Sequence, residues 1–509
     1  MRKTIILSTL FFCVITTVNA QQYQITGVKP LHFRGVESIT NGDKAVGYYT
    51  YYLSEKLKKG MVTLNLDILD LDLNLLKQTP VTVTKRSALI GSEYNGKDFL
   101  FIFSDASKKL NTFITIDSDG NVIKREDRKH RKFATANSMK VFPGTDGNGF
   151  YVTSAVKEKK WGYSVEKIDR DLNTVWEETV TRDRGYVGIE AAEAGNNKLL
   201  LITIEKPTLM SKKVLGKLVS FDDSNGTKQF EYDLYNGQIT GLPSAFLVEP
   251  NGNIVTAGMY FEGSKWQQVN SDGIFFLKLS PEGKKLAFNN IDWDNGIKHA
   301  LKATSRKFSI GSKPKVLFHE ITKTGGSYQV IAETFRKTVK AGTLLAAASG
   351  SSTAPMGFTV MDYIIFNYDD NGKPLDINKI EKPYKSIYVD GAIASAGGVS
   401  LAYYLKRFNM FTFEYVTTLP DSGKPAIVYT NWEGAKLGSG KPYVGISTIA
   451  RGEESETKKI PMSKKLKMVV GDPKNAKTGA LRGKAGHTCI YAYDRKNKTV
   501  NIGLESLTF

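Results

Sequence analysis

Cysteine is nearly absent: the 509 residues include two, Cys13 and Cys489. Cys13 lies in an N-terminal stretch expected to be removed, so one cysteine stays and an intramolecular disulfide is excluded. Cys489 sits in the alternating run HTCIYAYD, as a buried strand residue would. The five histidines, His32, His130, His299, His319 and His487, show no pairing at metal-ligand spacing. His319-Glu320 lacks the second histidine of a zincin helix. No Gly-x-Ser-x-Gly elbow occurs. Gly438-Ser-Gly-Lys441 is followed by Pro442 and lacks the outer glycine spacing of a phosphate loop. After the first twenty residues no run of 18 uncharged apolar residues occurs, which excludes a spanning helix. Helical periodicity is almost absent. A content of 41% hydrophobic and 11% aromatic residues is too apolar for disorder.

The first twenty residues, MRKTIILSTLFFCVITTVNA, carry Arg2 and Lys3, an apolar core and the small-residue site Val18-Asn19-Ala20. They read as a cleaved signal peptide, with the mature chain starting at Gln21. Phe12 stands where a lipoprotein signal needs a small residue before Cys13. Loss of Arg2 and Lys3 takes the net charge from +19 to +17.

What the chain does have is a repeat. One Asp/Asn/Gly turn recurs at Asp70–Asn74, Asp117–Asn121, Asp169–Asn173, Asp222–Gly226, Ser280–Gly283, Asp369–Gly372, Asp421–Gly423 and Arg495–Lys498. A second turn interleaves with it, at Asn41–Asp43, Asn95–Lys97, Asp146–Asn148, Gly195–Asn197, Pro250–Gly252, Thr324–Gly326 and Ala396–Gly398. Asn-Gly and Asp-Gly supply the positive φ that tight hairpins need. Each unit therefore reads as strand A, tight turn, strand B, longer loop, strand C, tight turn, strand D. Four-stranded units of about 45–60 residues predict an all-β propeller. Residues 21–509 are expected to form one such domain, with insertions near 337–357 and 463–486. Eight blades are preferred over seven, with HTCIYAYD and TVNIGLESL expected as strands C and D of the eighth.

The segments VEKIDRDLNTVW (165–176) and FLKLSPEGKKLAF (276–288) resemble the VxKLDxxGNxxW repeats of uncharacterised secreted β-propeller proteins of Bacteroidetes-type bacteria. That resemblance implies a secreted propeller and supplies no activity. The WD40 Gly-His and Trp-Asp signature is missing. The rival fold, an outer-membrane barrel, calls for one class of short turn and a lipid-facing final strand. Two turn classes alternate here, and Glu505 interrupts the terminal apolar pattern.

In a four-stranded blade the A–B and C–D turns leave on one face, and the B–C loops and D-to-A connections on the other. Residues 124–132, 157–160, 205–217, 298–315, 336–340 and 457–484 together carry a net +26. Placed in the longer loops, that charge makes one face basic, and such a face attracts polyanions. Lys159, Lys160, Trp161, Lys212, Lys213, Trp266, Trp293, Lys464, Lys465 and Lys467 are the candidate ligand-binding residues, because tryptophan beside lysine suits stacking on sugar rings with carboxylate or phosphate pairing. The same tryptophans also suit capping of the blade ends. Calcium is the one candidate cofactor, at Asp117, Asp119 and Asn121, although Asp and Asn build such turns without metal.

The leading expectation is an exported, non-catalytic binding or scaffold protein that holds an acidic glycan, lipopolysaccharide or an anionic protein surface, in the periplasm, at the outer surface or outside the cell. Nucleic acid ranks low as a partner for an exported chain. The alternatives are a lyase or hydrolase of acidic polysaccharide, with His130 and His299 as first suspects, and a structural envelope module working through protein contacts.

Overall fold

The computed structural model describes residues 21–29, 33–42, 44–57, 60–130, 139–157, 161–208, 211, 213–264, 271–304, 315–338, 356–389, 411–433, 441–462, 478–494 and 496–509. Strands A to D of blade 1 are Phe33–Asn41, Lys44–Lys56, Met61–Leu69 and Leu75–Thr84. Blade 2 follows with Ala88–Tyr94, Asp98–Asp105, Leu110–Asp117 and Val122–Lys129. Blade 3 has Lys140–Pro143, Phe150–Lys157, Trp161–Ile168 and Thr174–Thr181. Blade 4 has Tyr186–Gly195, Lys198–Lys206, Leu215–Asp222 and Lys228–Asp233. Blade 5 has Ile239–Val248, Ile254–Glu262, Gly273–Leu279 and Lys285–Asp292. Blade 6 has Lys315–Thr324, Ser327–Thr338, Met356–Asp369 and Pro374–Ile380. Blade 7 has Phe413–Thr418, Pro425–Glu433, Lys441–Thr448 and Thr457–Pro461.

Blade 8 is closed by the other end of the chain. Its strands A to C are Thr478–Arg482, His487–Asp494 and Thr499–Ser506, and its strand D is Gln22–Ile25. Gln22 pairs with Gly503 and Ile25 with Val500, antiparallel. The molecule is thus an eight-bladed β-propeller of antiparallel sheets, as the repeat predicts. Three details differ from the sequence reading. HTCIYAYD and TVNIGLESL are strands B and C of blade 8, because Gln22–Ile25 takes the outermost place. Asp421–Gly423 joins strands A and B of blade 7 rather than C and D. The Arg495–Lys498 connection joins strands B and C of blade 8. Ala396–Gly398 lies outside the described residues.

Middle strands are covered on both sheet faces by neighbouring blades, so Asp98–Asp105 is buried at every position. Outermost strands face water on one side, and Val122–Lys129 alternates in its burial. Aromatic rings fill the seams: Phe276 of blade 5 stacks on Tyr368 of blade 6 at 4.5 Å, and Tyr49 of blade 1 meets Phe99 of blade 2 at 5.3 Å. The motif lysines also bind across seams. Lys167 of VEKID reaches Asp223 in the C–D turn of blade 4 at 2.7 Å. Lys278 of FLKLS donates to the Asp370 carbonyl, in the C–D turn of blade 6, at 3.0 Å.

The C–D turns close by the side-chain mechanism expected of them. In Asp70, Asp117 and Asp169 one carboxylate oxygen accepts from the backbone N–H four residues on, at 2.7–2.8 Å. The fourth position of the turn takes positive φ. Gly120 stands there in blade 2, whereas Leu73 and Leu172 adopt φ 64° and bury their side chains. Apolar burial offsets the backbone cost at those two leucines.

Candidate functional site

The inner strands supply the wall of the central channel. They bring together Glu37, Glu93, Glu190, Glu193 and Glu320 from blades 1, 2, 4 and 6, with Lys140 from blade 3 and Arg482 from blade 8. A cavity of about 590 Å³ lies against the inner strands of blades 3 to 6, lined by Lys140, Glu190, Glu193, Ser244, His319 and Glu320, among others. Glu37 stays open to channel water, but the wall crowds it, and that burial lifts its carboxyl to about 7. Burial, then the charges of Glu37 and Glu193, push Glu93 up to about 8. Burial also raises Glu190, and Lys140 and Lys206 oppose the shift. Arg482 braces the wall: it lies 3.3 Å from Glu320, donates to the Val416 carbonyl of blade 7 at 2.6 Å, and its own carbonyl accepts from Ser38 of blade 1 at 2.8 Å.

Behind this wall, between blades 6 and 7, lies a buried charge network. Glu333 lies 2.8 Å from Lys382 Nζ as an ion pair, accepts from Thr412 Oγ1 at 2.5 Å, and pairs with His319 Nε2 at 3.0 Å. Neither Glu333 nor Lys382 is exposed. Burial alone would raise Glu333, but Lys382 and His319 outweigh it and hold the carboxyl at about 2. His319 also stacks on Phe413 at 4.5 Å. This is the wiring of a blade seam, with one edge of His319 on the channel cavity.

Trp293 caps a blade end: it is 1% exposed, and its indole N–H donates to Ser271 at 3.0 Å, so it offers no ligand surface. Trp161 opens strand C of blade 3 on the loop face and is half-buried, with Lys157 Nζ 4.4 Å above its ring and Tyr186 6.5 Å away. Lys213 is exposed in the B–C loop of blade 4. Lys159, Lys160, Lys212, Trp266, Lys464, Lys465 and Lys467 lie outside the described residues, as do most of residues 337–357 and 463–486. The charged segments are less uniformly loops than the sequence suggests. Residues 124–129 belong to the outermost strand of blade 2, Arg482 lies on an inner strand, and Lys484 lies on the tight-turn face.

Asp117 spends both carboxylate oxygens on Asn121, at 2.7 and 3.1 Å, inside the candidate calcium turn with Asp119. Among the described residues no three His, Cys, Asp or Glu side chains converge in a metal-holding group. His130 contacts Ser104 Oγ at 3.0 Å, and His299 is exposed on the helix Lys298–Thr304. The structure does not gather either with the channel glutamates. Cys489 is buried, and burial pushes its thiol up, away from nucleophilic use. No helix of the described residues is long and apolar enough to cross a membrane.

The fold and its channel define a β-propeller protein. The chain belongs to the Family of unknown function (DUF6770), whose model matches residues 1–508. No curated protein matches it in sequence. Among solved structures it is similar to the WD40 domain of SCAP from fission yeast, at 9% identity and a TM-score of 0.41, over 95% of this chain and 94% of that one. It is also similar to quinohemoprotein alcohol dehydrogenase from Comamonas testosteroni, at 10% identity and 0.41, over 96% and 78%. A third likeness is to the β-propeller domain of the Trilobed protease from Pyrococcus furiosus, at 10% identity and 0.39, over 86% and 96%. These likenesses are too distant to carry function.

Proposed function

We propose that the chain is an exported, non-catalytic binding or scaffold propeller that holds an acidic ligand on its loop face: an acidic glycan, lipopolysaccharide or an anionic protein surface. The observation that carries this reading is the Trp161 site, where a half-buried indole lies beside Lys157 and Tyr186 on the face bearing the longer connections. Exposed Arg336 and Tyr384 add a second cation and ring on that face. Charge distribution supports it too. Five glutamates face Lys140 and Arg482 on the channel wall, so the rest of the chain from residue 21 on is more basic than its net charge of +17. The test is a glycan-array screen of residues 21–509 at low and high salt. Acidic glycans bind at low salt and fade at high salt, because exposed charge pairs are screened. A blank array, or salt-insensitive binding, refutes the reading.

A second reading has its own observation. Carboxyls lifted to about 7 and 8, as at Glu37 and Glu93, have the proton affinity of general acids near neutral pH. A hydrolase or lyase of acidic polysaccharide would use them in the channel. Turnover of uronic-acid polymers that vanishes in Glu93→Gln supports that reading, and absence of turnover removes it.

A further inference from the structure

Cleavage after Ala20 makes Gln21 the first residue of the chain, and the fold gives that residue a reactive setting. Gln21 precedes the ring-closing strand Gln22–Ile25. Its backbone carbonyl accepts from Leu504 N at 3.3 Å, so the end of the chain is pinned to blade 8. Its side-chain carbonyl oxygen accepts from Lys484 Nζ at 2.9 Å. Lys484 is itself held by Asp72 at 2.7 Å, across the seam in the C–D turn of blade 1. The Lys484 ammonium keeps the Asp72 carboxyl below its ordinary range.

We infer that Gln21 is a modification site, where the α-amino nitrogen attacks its own side-chain carboxamide and the chain ends in pyroglutamate. The inference rests on the export reading, because it requires Gln21 to be first. A bond forms between the α-nitrogen and Cδ, the Cδ–Nε2 bond breaks, and ammonia leaves with a proton taken from the α-nitrogen. No oxidant, reductant, metal or cofactor enters the balance. Lys484 assists at the oxygen where negative charge develops: its ammonium already donates to Oε1, and that bond strengthens in the tetrahedral adduct. The same fixed positive charge disfavours a second cation beside it. Ring closure then removes one of two like charges and leaves a blocked end on the strand that seals the propeller.

The test uses the full chain of residues 21–509, released from a fusion whose removal leaves Gln21 first, so that leader processing plays no part. Intact mass is followed with time for the wild type, Lys484→Met and Lys484→Arg, with the wild type in denaturant giving the unassisted rate. The folded wild type loses one ammonia several-fold faster than the denatured chain, Lys484→Met falls to the denatured rate, and Lys484→Arg restores most of the gain. The product resists aminopeptidase. A mass that stays unchanged, or equal rates in wild type and Lys484→Met, overturns the inference. Mass spectrometry of the N-terminal peptide of chain purified from exporting cells, which reads a blocked end as well as a free one, tests the export reading separately: an end other than residue 21 refutes that cleavage, whatever the released chain does.

Discussion

Replacing Glu333 by glutamine keeps the shape of the side chain and removes its charge. The Lys382 ammonium is then left in a seam with no exposure and without its ion-pair partner, facing only the more distant charge of Asp362. Removing one member of a buried pair costs about 3–5 kcal/mol. A second route gives the same scale. The carboxyl stands at about 2 instead of its ordinary 4.5, which corresponds to about 3 kcal/mol at neutral pH. Because the folded value lies below the unfolded one, this contribution is complete above about pH 4.5. It is lost as pH falls from there toward 2. The assay is urea denaturation of wild type and Glu333→Gln at neutral pH and at about pH 3. The variant has a much lower midpoint at neutral pH, and the gap narrows at about pH 3, where the unfolded wild type already holds the proton and ionisation favours the fold by less. Adding Lys382→Met recovers part of the loss, since the orphaned charge goes with it. Glu453→Gln, whose partner Lys424 lies on the surface, serves as the control and shifts little. Equal midpoints for Glu333→Gln and wild type at neutral pH, or a gap that does not change with pH, would refute the reasoning.

The channel carboxylates give the opposite pH dependence. Glu93 is raised from 4.5 to about 8 in the fold, so the native state holds its proton more tightly than the unfolded chain does. Stability therefore falls as pH rises through that window, and Glu93→Gln flattens the alkaline limb of a melting-temperature profile. Burial raises Glu37 as well, to about 7, so the double variant flattens it further. Ile25→Ala, in the closing strand and packed near Phe33 and Val500, costs about 2–4 kcal/mol and opens the N-terminal segment to limited proteolysis before any other site. Uniform proteolytic resistance in that variant would show that the strand does not seal the ring.

The repeat was legible because its signals are local. An Asp at the first position of a C–D turn, an Asn at the fifth and a positive-φ residue between them all fall within five residues, as in Asp169–Asn173. The closing strand was not legible. QYQI is four residues long and gains its partner from Val500–Gly503, more than 470 residues further along the chain. The channel was missed for a related reason. Its lining comes from several blades, and nothing in the 55 residues between Glu37 and Glu93 announces that their charges act on each other. The lysines of VEKID and FLKLS were visible as motif residues but not as cross-seam contacts, since Asp223 and Asp370 belong to the blades that follow. Trp293 shows the reverse error: a tryptophan in a charged connection looks available, yet a single hydrogen bond to Ser271 and a buried pocket remove it from the surface.

The first and last described residues both lie on the tight-turn face. Gln21 sits beside Asp72 in one turn, and the Phe509 N–H donates to Asp421 in another, at 3.0 Å. Anything joined after Phe509, whether an affinity handle, a fluorescent reporter or a solid support, therefore stands the ring on that side and turns Trp161, Tyr186 and Tyr384 toward the solution. A chip coated through the C-terminus presents every copy in the same orientation.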